Sequence, residues 1–142
     1  MTVAAILAGK GRDVLTTSAA KTLAEVVEVL AKRRVGALVV VEDGDRIVGI
    51  ISERDVVRAI ASGPAALFQP VSSVMTRDVM TCSDGETIDS VMSRMTRGRF
   101  RHLPVAENGR LAGIVSIGDV VKARIEQVER EAEDMRAYIA TG

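Results

Sequence analysis

Several residue types that carry chemistry are scarce or missing in this chain of 142 residues. It has one cysteine, Cys82, and one histidine, His102, which excludes an internal disulfide, a four-thiolate metal site and a histidine-rich metal site. Aromatic residues make up 2% and tryptophan is absent, so platforms for stacking nucleic-acid bases are not expected. Nineteen basic residues balance nineteen acidic ones, whereas binding to nucleic acids or anionic membranes needs a basic surface.

Long apolar segments are also missing. No run approaches the roughly 18 apolar residues that a membrane-spanning helix needs. The start of the chain, Met1–Ala8, lacks the basic region and long apolar core of a secretion signal. Hydrophobic residues make up 47% of the chain, and nearly all of them are not aromatic. That is enough for a folded core. We therefore expect a cytoplasmic protein that binds neither membrane nor nucleic acid and has little catalytic equipment.

The chain contains an internal repeat. Asp13–Ser18 (DVLTTS) reappears as Asp78–Ser83 (DVMTCS), and Gly49–Val57 (GIISERDVV) reappears as Gly113–Val121 (GIVSIGDVV). Two copies of roughly 60 residues are each too small to bury a good core alone. We therefore expect the copies to pack against each other.

Each copy predicts a helix, a hairpin and a second helix. In the first copy, apolar residues at helical spacing follow a capping-box pair, Thr22 and Glu25. An Asp-Gly turn then joins two β-branched runs, which is typical of a hairpin. The predicted elements are a helix at 22–34, strands at 37–41 and 47–51 and a helix at 53–61, then a helix at 88–96, strands at 103–106 and 111–115 and a helix from 117. The fold class is α+β with two sheets.

The repeat also predicts the domain boundaries. These are residues 1–63 for the first copy, 64–73 for a linker, 74–125 for the second copy and 126–142 for a C-terminal amphipathic helix. The tail is highly charged, but Val128, Ala132, Met135 and Ile139 fall on one side of a helix. That side packs either on its own domain or on a second subunit.

A serine ends a strand in each copy, and an aspartate follows three residues later at the start of a helix. The pairs are Ser52 with Asp55 and Ser116 with Asp119. One interpretation is structural, because this spacing closes a capping box. The other is functional, because a helix N-terminus can bind a phosphate and a carboxylate can accept the hydroxyls of a ribose. Both interpretations can hold together.

Basic residues gather at the same point of both copies, between the first helix and the first strand. They occupy Lys32–Arg34 and Arg97–His102. Such a matched excess in a neutral protein indicates an anion site or a salt-bridged edge, whereas a single basic run is usually a solvated turn. Lys10 lies in a further basic segment that predicts a flexible loop. That segment is not a P-loop, because the spacing and the Ser/Thr after the lysine are missing, and it does not follow a strand as a dinucleotide fingerprint must.

Together these features resemble a pair of CBS domains, the cystathionine-β-synthase motif. The doubled Gly-aliphatic-aliphatic-Ser-x-x-Asp pattern and Arg101–Val105 (RHLPV) carry the resemblance, which spans about Val3 to Ile125. It implies two repeats of β-α-β-β-α type about a pseudo-twofold axis, a Bateman module, followed by a C-terminal helix. It also implies two clefts that bind an adenosyl compound such as AMP, ADP, ATP, NAD(H) or S-adenosylmethionine.

The resemblance gives roles to the residues that match the family motifs. Asp55 and Asp119 would hold ribose hydroxyls, and Ser52 and Ser116 would lie at the phosphate or ribose side. The segments that border the adenine and complete the pockets would be Val14, Thr16, Val35, Gly36, Ala37, Val79, Met80, Thr81, Phe100, Arg101 and His102. Phosphate would be neutralised by Lys10, Arg54, Arg99, Arg101 and His102. Because Arg54 is replaced by Gly118 in the second copy, we expect unequal affinities.

Binding without chemistry is the function that the resemblance implies. We expect a homodimeric sensor of energy or redox state that signals to an effector protein in trans. No catalytic residue, metal site or catalytic cofactor is expected, since Cys82 has no histidine near it in sequence. One alternative is a structural dimerisation module with vestigial clefts. Another is an enzyme that hydrolyses the bound nucleotide, which the lack of a metal cluster and of a positioned base disfavours.

Overall fold

The computed structural model describes residues 1–141 and has the predicted α+β class. The helices are α1 (Val3–Lys10), α2 (Leu23–Arg33), α3 (Glu53–Ile60), α4 (Ile88–Gly98) and α5 (Ile117–Thr141). The strands are β1 (Thr16–Thr17), β2 (Ala37–Glu42), β3 (Arg46–Ser52), β4 (His102–Glu107) and β5 (Arg110–Ser116). Two short 3-10 turns, Pro64–Phe68 and Val71–Ser73, follow α3. Among residues 1–141, no helix combines the length and the apolar composition needed to cross a bilayer.

Local sequence signals explain where the helices begin and end. The Thr22 hydroxyl accepts a hydrogen bond from the Glu25 N–H at 3.3 Å, and the Glu25 carboxylate accepts one from the Thr22 N–H at 3.0 Å, so the predicted capping box is confirmed. The helix ends at Arg34 in the left-handed conformation (φ 53°), as α4 does at Arg99 (φ 54°). The predicted tail helix continues α5 without a break; Gly142 lies outside the described residues.

The hairpin turns follow the predicted chemistry. Asp43 and Gly44 have φ of 51° and 87°, and Asn108 and Gly109 have φ of 54° and 77°. Two successive residues with positive φ make the turn whose twist matches that of the strands. The Asp-Gly and Asn-Gly pairs therefore place both hairpins.

The strands form one sheet in the order β1-β2-β3-β5-β4, whereas two sheets are predicted from the sequence. β3 and β5 pair antiparallel at a single position, Arg46 opposite Arg110. The N–H of Leu111 donates to the carbonyl of Asp45 at 2.8 Å beside it. The prediction of two sheets fails because the turn ends of both hairpins present unpaired backbone groups, which pair with each other.

Contacts divide the chain into two compact units. Unit 1 contains residues 1–12, 82–105 and those from 113 onward, and unit 2 contains residues 13–81 and 106–112. Helix α1 therefore belongs with α4 and α5 in unit 1. The boundaries at 1–63, 64–73, 74–125 and 126–142 describe the repeats in the sequence, and they stay a prediction.

Each unit has an aliphatic core. The buried cluster of unit 2 consists of Leu23, Val26, Leu30, Leu38, Val40, Ile51, Val56, Val71 and Met75. In unit 1 the buried side chains include Val3, Leu7, Ile88, Val91, Met95, Leu103 and Val120. No polar residue within residues 1–141 is buried. Burial of each aliphatic side chain contributes about 1.5–3 kcal/mol, which stabilises the fold without aromatic residues.

The matched glycines of the two copies allow close packing. A Cβ at Gly49 would lie 2.6 Å from the Met75 sulfur and 3.0 Å from the Thr76 carbonyl oxygen. A Cβ at Gly113 would lie 2.9 Å from Cδ1 of Leu7. Both glycines are buried in strands. A strand residue without a side chain is needed where another segment approaches this closely.

We expect Gly49→Ala to lower the free energy of unfolding by about 1–3 kcal/mol, the usual cost of overpacking. Met75 can adjust its side chain, but the Thr76 oxygen belongs to the backbone and cannot. Gly85→Ala is the control, because a Cβ there meets nothing within 4 Å. Urea unfolding measures both variants, and equal midpoints would contradict the packing argument.

Candidate functional site

The two strand-to-helix junctions have the same backbone arrangement. We call residues 52–55 the Ser52 junction and residues 116–119 the Ser116 junction. At the first, the N–H of Glu53 donates to the Gly36 carbonyl at 3.0 Å. At the second, the N–H of Ile117 donates to the Arg101 carbonyl at 2.8 Å. Each helix start is thus fixed beside the entrance of the first hairpin strand of its own copy.

Both aspartates close a capping box, so the structural interpretation of the motif is confirmed. Oδ2 of Asp55 accepts from the Ser52 N–H at 2.9 Å and from the Ser52 hydroxyl at 3.1 Å, and the Asp55 N–H donates back to that hydroxyl at 3.4 Å. Oδ2 of Asp119 accepts from the Ser116 N–H at 2.9 Å, and the Asp119 N–H donates to the Ser116 hydroxyl at 3.2 Å. Capping therefore engages one carboxylate oxygen at each junction.

The second carboxylate oxygen keeps its capacity to accept. Within the described residues, Oδ1 of Asp55 and Oδ1 of Asp119 accept no hydrogen bond. Both residues are half-buried, and a carboxylate oxygen has two lone pairs. Each junction can therefore cap its helix and still accept a hydroxyl from a ligand.

Several predicted site residues of the first copy lie along one edge of unit 2. β1 pairs parallel with β2, with Thr16 opposite Val39. If this register continues towards the N-terminus, Val14 lies beside Ala37. Ala37 in turn pairs with Ser52 of β3. Val35 and Gly36 precede Ala37 and are half-buried, and the exposed Arg54 lies in the first turn of α3. The structure thus brings these predicted residues to the Ser52 junction.

The predicted site residues of the second copy fall into both units. His102 begins β4, is half-buried and follows the exposed Arg101. The Phe100 ring lies over Gly98, where a Cβ would come within 2.2 Å of it, and the exposed Arg99 ends α4. These residues belong to unit 1 with Ser116 and Asp119, whereas the segment 79–81 belongs to unit 2. The members of that segment are Val79 and Thr81, both half-buried, and Met80, which is exposed.

Lys10 does not lie in the predicted flexible loop. It is the last residue of α1, and its ammonium donates to Oδ2 of Asp119 at 2.7 Å and to the Ile114 carbonyl at 3.0 Å. The two side chains are 34% and 25% exposed. Helix α1 is not predicted from the sequence, and its one local signal is Thr2 as N-cap.

The ion pair makes the two junctions electrostatically different. Burial raises the pKa of the Asp119 carboxyl, but hydrogen bonds from Lys10 and Ser116 and the Lys10 charge lower that pKa below its ordinary value. Asp119 is therefore ionised at neutral pH. The Asp55 carboxylate contacts only Ser52 among the described hydrogen bonds. The unequal affinities expected from the replacement of Arg54 by Gly118 stay a prediction.

The other groups considered from the sequence are the basic cluster of the first copy, the cysteine and possible metal ligands. Lys32, Arg33 and Arg34 are exposed and form no ion pair within the described part of the chain, so the salt-bridged edge is wrong for the first copy. Burial raises the pKa of Cys82 to about 12, which leaves little of the nucleophilic thiolate. Within residues 1–141, no three His, Cys, Asp or Glu side chains lie close enough together to hold one metal ion.

Comparison with known proteins agrees with the doubled geometry. The CBS-domain family model matches residues 10–62 and 71–126. A crystal structure of a CBS-domain containing protein from Agrobacterium tumefaciens has a TM-score of 0.83 and 49% identity, and the match covers 87% of this chain and 92% of that one. The CBS domain-containing protein CBSX3, mitochondrial, of Arabidopsis thaliana is 33% identical over 99% of this chain and 73% of its own length.

A further solved structure carries ligands. It is the CBS domain pair of protein MJ0100 in complex with 5′-methylthioadenosine and S-adenosyl-L-methionine, with a TM-score of 0.79 and 25% identity. The match covers 89% of this chain and 98% of that chain. From the two family matches, the repeated fold and these relatives, we conclude that this chain belongs to the CBS-domain proteins and carries two copies of the domain.

Proposed function

We propose that this protein is a regulatory module that binds an adenosyl compound at the Ser52 and Ser116 junctions and signals to a partner protein in trans. The observation that carries the proposal is the open Oδ1 of Asp55 and of Asp119 beside a helix start. The MJ0100 pair, which binds two adenosyl compounds, supports the same ligand class. The class includes AMP, ADP, ATP, NAD(H) and S-adenosylmethionine.

The chemistry of the junctions suits such a ligand. A ribose donates its hydroxyls to a carboxylate oxygen, and the N–H groups of a helix start favour a phosphate. Along the edge of unit 2, the half-buried Val14 and Val35 offer aliphatic contacts for a purine. Nothing in this set requires a bond to be made or broken, and CBS-domain proteins are generally regulatory modules. We therefore propose binding without catalysis, in a cytoplasmic protein that acts as a homodimer.

The Ser116 junction is proposed to prefer a phosphorylated ligand. Lys10 uses two of its three N–H groups, on Asp119 and on the Ile114 carbonyl. A ribose hydroxyl at Oδ1 of Asp119 leaves the Lys10 contact with Oδ2 in place. The third N–H of Lys10 can then donate to a phosphate of the same ligand. An uncharged ligand offers that N–H no anion.

The test of the proposed function is isothermal titration with AMP, ATP, NADH and S-adenosylmethionine, with thermal unfolding in parallel. We expect at least one ligand to bind with a submillimolar Kd and to raise Tm, because a ligand that binds only the folded state stabilises it. No heat and no change in Tm at millimolar concentrations of all four would contradict the proposal.

A negative result would favour a structural dimerisation module with vestigial clefts. One observation supports that second candidate, because both aspartates already serve their own helices. Signalling also needs a ligand that binds two arrangements of the protein with different affinities. A change in hydrogen exchange on ligand addition would separate a sensor from a passive binder.

A further inference from the structure

Helix α5 carries an exposed apolar stripe outside the core of unit 1. Val120 and Ala123 are buried on the face that packs against α1 and α4. The stripe lies roughly a quarter-turn or more around the helix from that face. Its large side chains are 44% (Val121) to 69% (Ile139) exposed, and Ala132 is half-buried. Its members are Val121, Ile125, Val128, Ala132, Met135 and Ile139.

The spacing of the stripe is that of a coiled coil. Successive members are separated alternately by four and three residues, which is the a/d pattern of a heptad. Ile125, Ala132 and Ile139 occupy a positions, and the other three occupy d positions. In parallel coiled coils, β-branched residues at a together with Leu at d favour two strands, whereas Ile at both positions favours three or four. Here isoleucine occupies two of the three a positions only, and the d positions hold Val, Val and Met. The stripe therefore fits a helix with the same heptad pattern.

The flanking charges fit a parallel pair of α5 helices. In such a pair, each g residue lies beside the e residue of the next heptad on the other helix. Arg124 would then meet Glu129 of the partner subunit, and Glu131 would meet Arg136 of the partner subunit, so each pair joins opposite charges. Arg124 now pairs with Asp89 at 3.0 Å, but that ion pair is exposed and contributes little.

An antiparallel pair would be unfavourable. With the stripes fully overlapped, Lys122 would meet Arg136 of the partner subunit, and Glu129 and Glu131 would each meet their own equivalents. All of these contacts join like charges. An anionic lipid surface is disfavoured too, because residues 126–139 contain five acidic and two basic side chains.

We propose that α5 pairs with α5 of a second copy of this chain as a parallel, in-register coiled coil along residues 121–139. The proposal does not depend on ligand binding, because none of its residues lies in the Ser52 or the Ser116 junction. It gives the homodimer a defined contact and direction.

Disulfide trapping tests the direction of the helices. In the parallel pair, Met135→Cys places two thiols at one d layer, whereas Ala137→Cys places them on the outer side of each helix. We expect Met135→Cys to form a covalent dimer under mild oxidation roughly tenfold faster than Ala137→Cys. Cys82 does not interfere, because it is buried and its pKa is raised to about 12. Equal rates for the two variants would overturn the parallel arrangement.

Charge reversal tests the pairing in solution. Glu131→Arg puts like charges together twice in the dimer, and we expect it to weaken association about tenfold by analytical ultracentrifugation. Adding Arg136→Glu restores opposite signs and should recover the dimer. Glu133→Arg changes the same charge at an outward position and should have no effect. A monomeric wild type, or equal effects of Glu131→Arg and Glu133→Arg, would overturn the proposal.

Discussion

The double variant Asp55→Asn, Asp119→Asn is expected to bind adenosyl ligands about a hundredfold more weakly than the wild type while unfolding at nearly the same temperature. The asparagine carbonyl can still accept the capping hydrogen bonds that Oδ2 now accepts. Its NH₂ group, however, replaces the acceptor Oδ1 by a donor. A hydrogen bond to a charged group is worth about 1.5–3 kcal/mol, so its loss corresponds to one or two factors of ten.

The alanine variant separates binding from capping. Asp55→Ala, Asp119→Ala should lose the ligand to the same extent but should also lose stability, because it removes both capping boxes. Glu25→Ala provides the matched control, since it opens the capping box of α2 in unit 2 and touches neither junction. Calorimetric titration and thermal unfolding measure the two effects. Wild-type affinity in the asparagine variant would show that the carboxylates only finish their helices.

Lys10→Met is expected to lower the affinity of the Ser116 junction for AMP about tenfold and to leave its affinity for adenosine unchanged or higher. The loss follows because the third N–H of the Lys10 ammonium is proposed to donate to the phosphate while the ribose binds Oδ1 of Asp119. The measurement is best made with Asp55→Asn in the same chain, so that only one cleft responds. Lys10→Arg keeps the charge and should retain most of the preference for AMP.

Controls distinguish a charge preference from a structural role of Lys10. Lys21→Met removes an exposed lysine of unit 2 and should change neither ligand. The ion pair of Lys10 and Asp119 is partly exposed, so its removal should cost less than about 1 kcal/mol. Because the pKa of Asp119 lies below its ordinary value of 3.8, the pair stabilises the fold above that pH and its contribution is lost as the pH falls through the lowered pKa. An equal loss of AMP and adenosine affinity would contradict the proposed selectivity.

Local signals account for the parts of the fold that the sequence predicts. The capping boxes at Thr22, Ser52 and Ser116 and the two hairpin turns each depend on residues within four positions of one another. Helix α1 could not be found by periodicity, because Val3–Gly9 is almost wholly apolar or small and has no polar face to contrast with. The short β1 exists only through its pairing with β2.

Long-range contacts account for what the sequence does not predict. In the repeat, Asp119 is the counterpart of Asp55. No local sequence pattern predicts that Lys10 contacts Asp119, because more than a hundred residues separate the two in the chain. Likewise, the single sheet depends on one pair, Arg46 opposite Arg110. The predicted roles of the segment 79–81 came from the family motif alone and stay predictions. Motif spacing thus predicts the positions of a candidate site, whereas the charged groups around that site depend on tertiary packing.

The unbroken course of α5 has a mechanical consequence. Its first turn holds Asp119, and it continues as one rod of 25 residues, about 37 Å long at the usual rise. A tilt of roughly 5° at the end that carries Asp119 would displace the opposite end by about 3 Å. Small adjustments around a captured molecule would thereby be amplified into motion far from it.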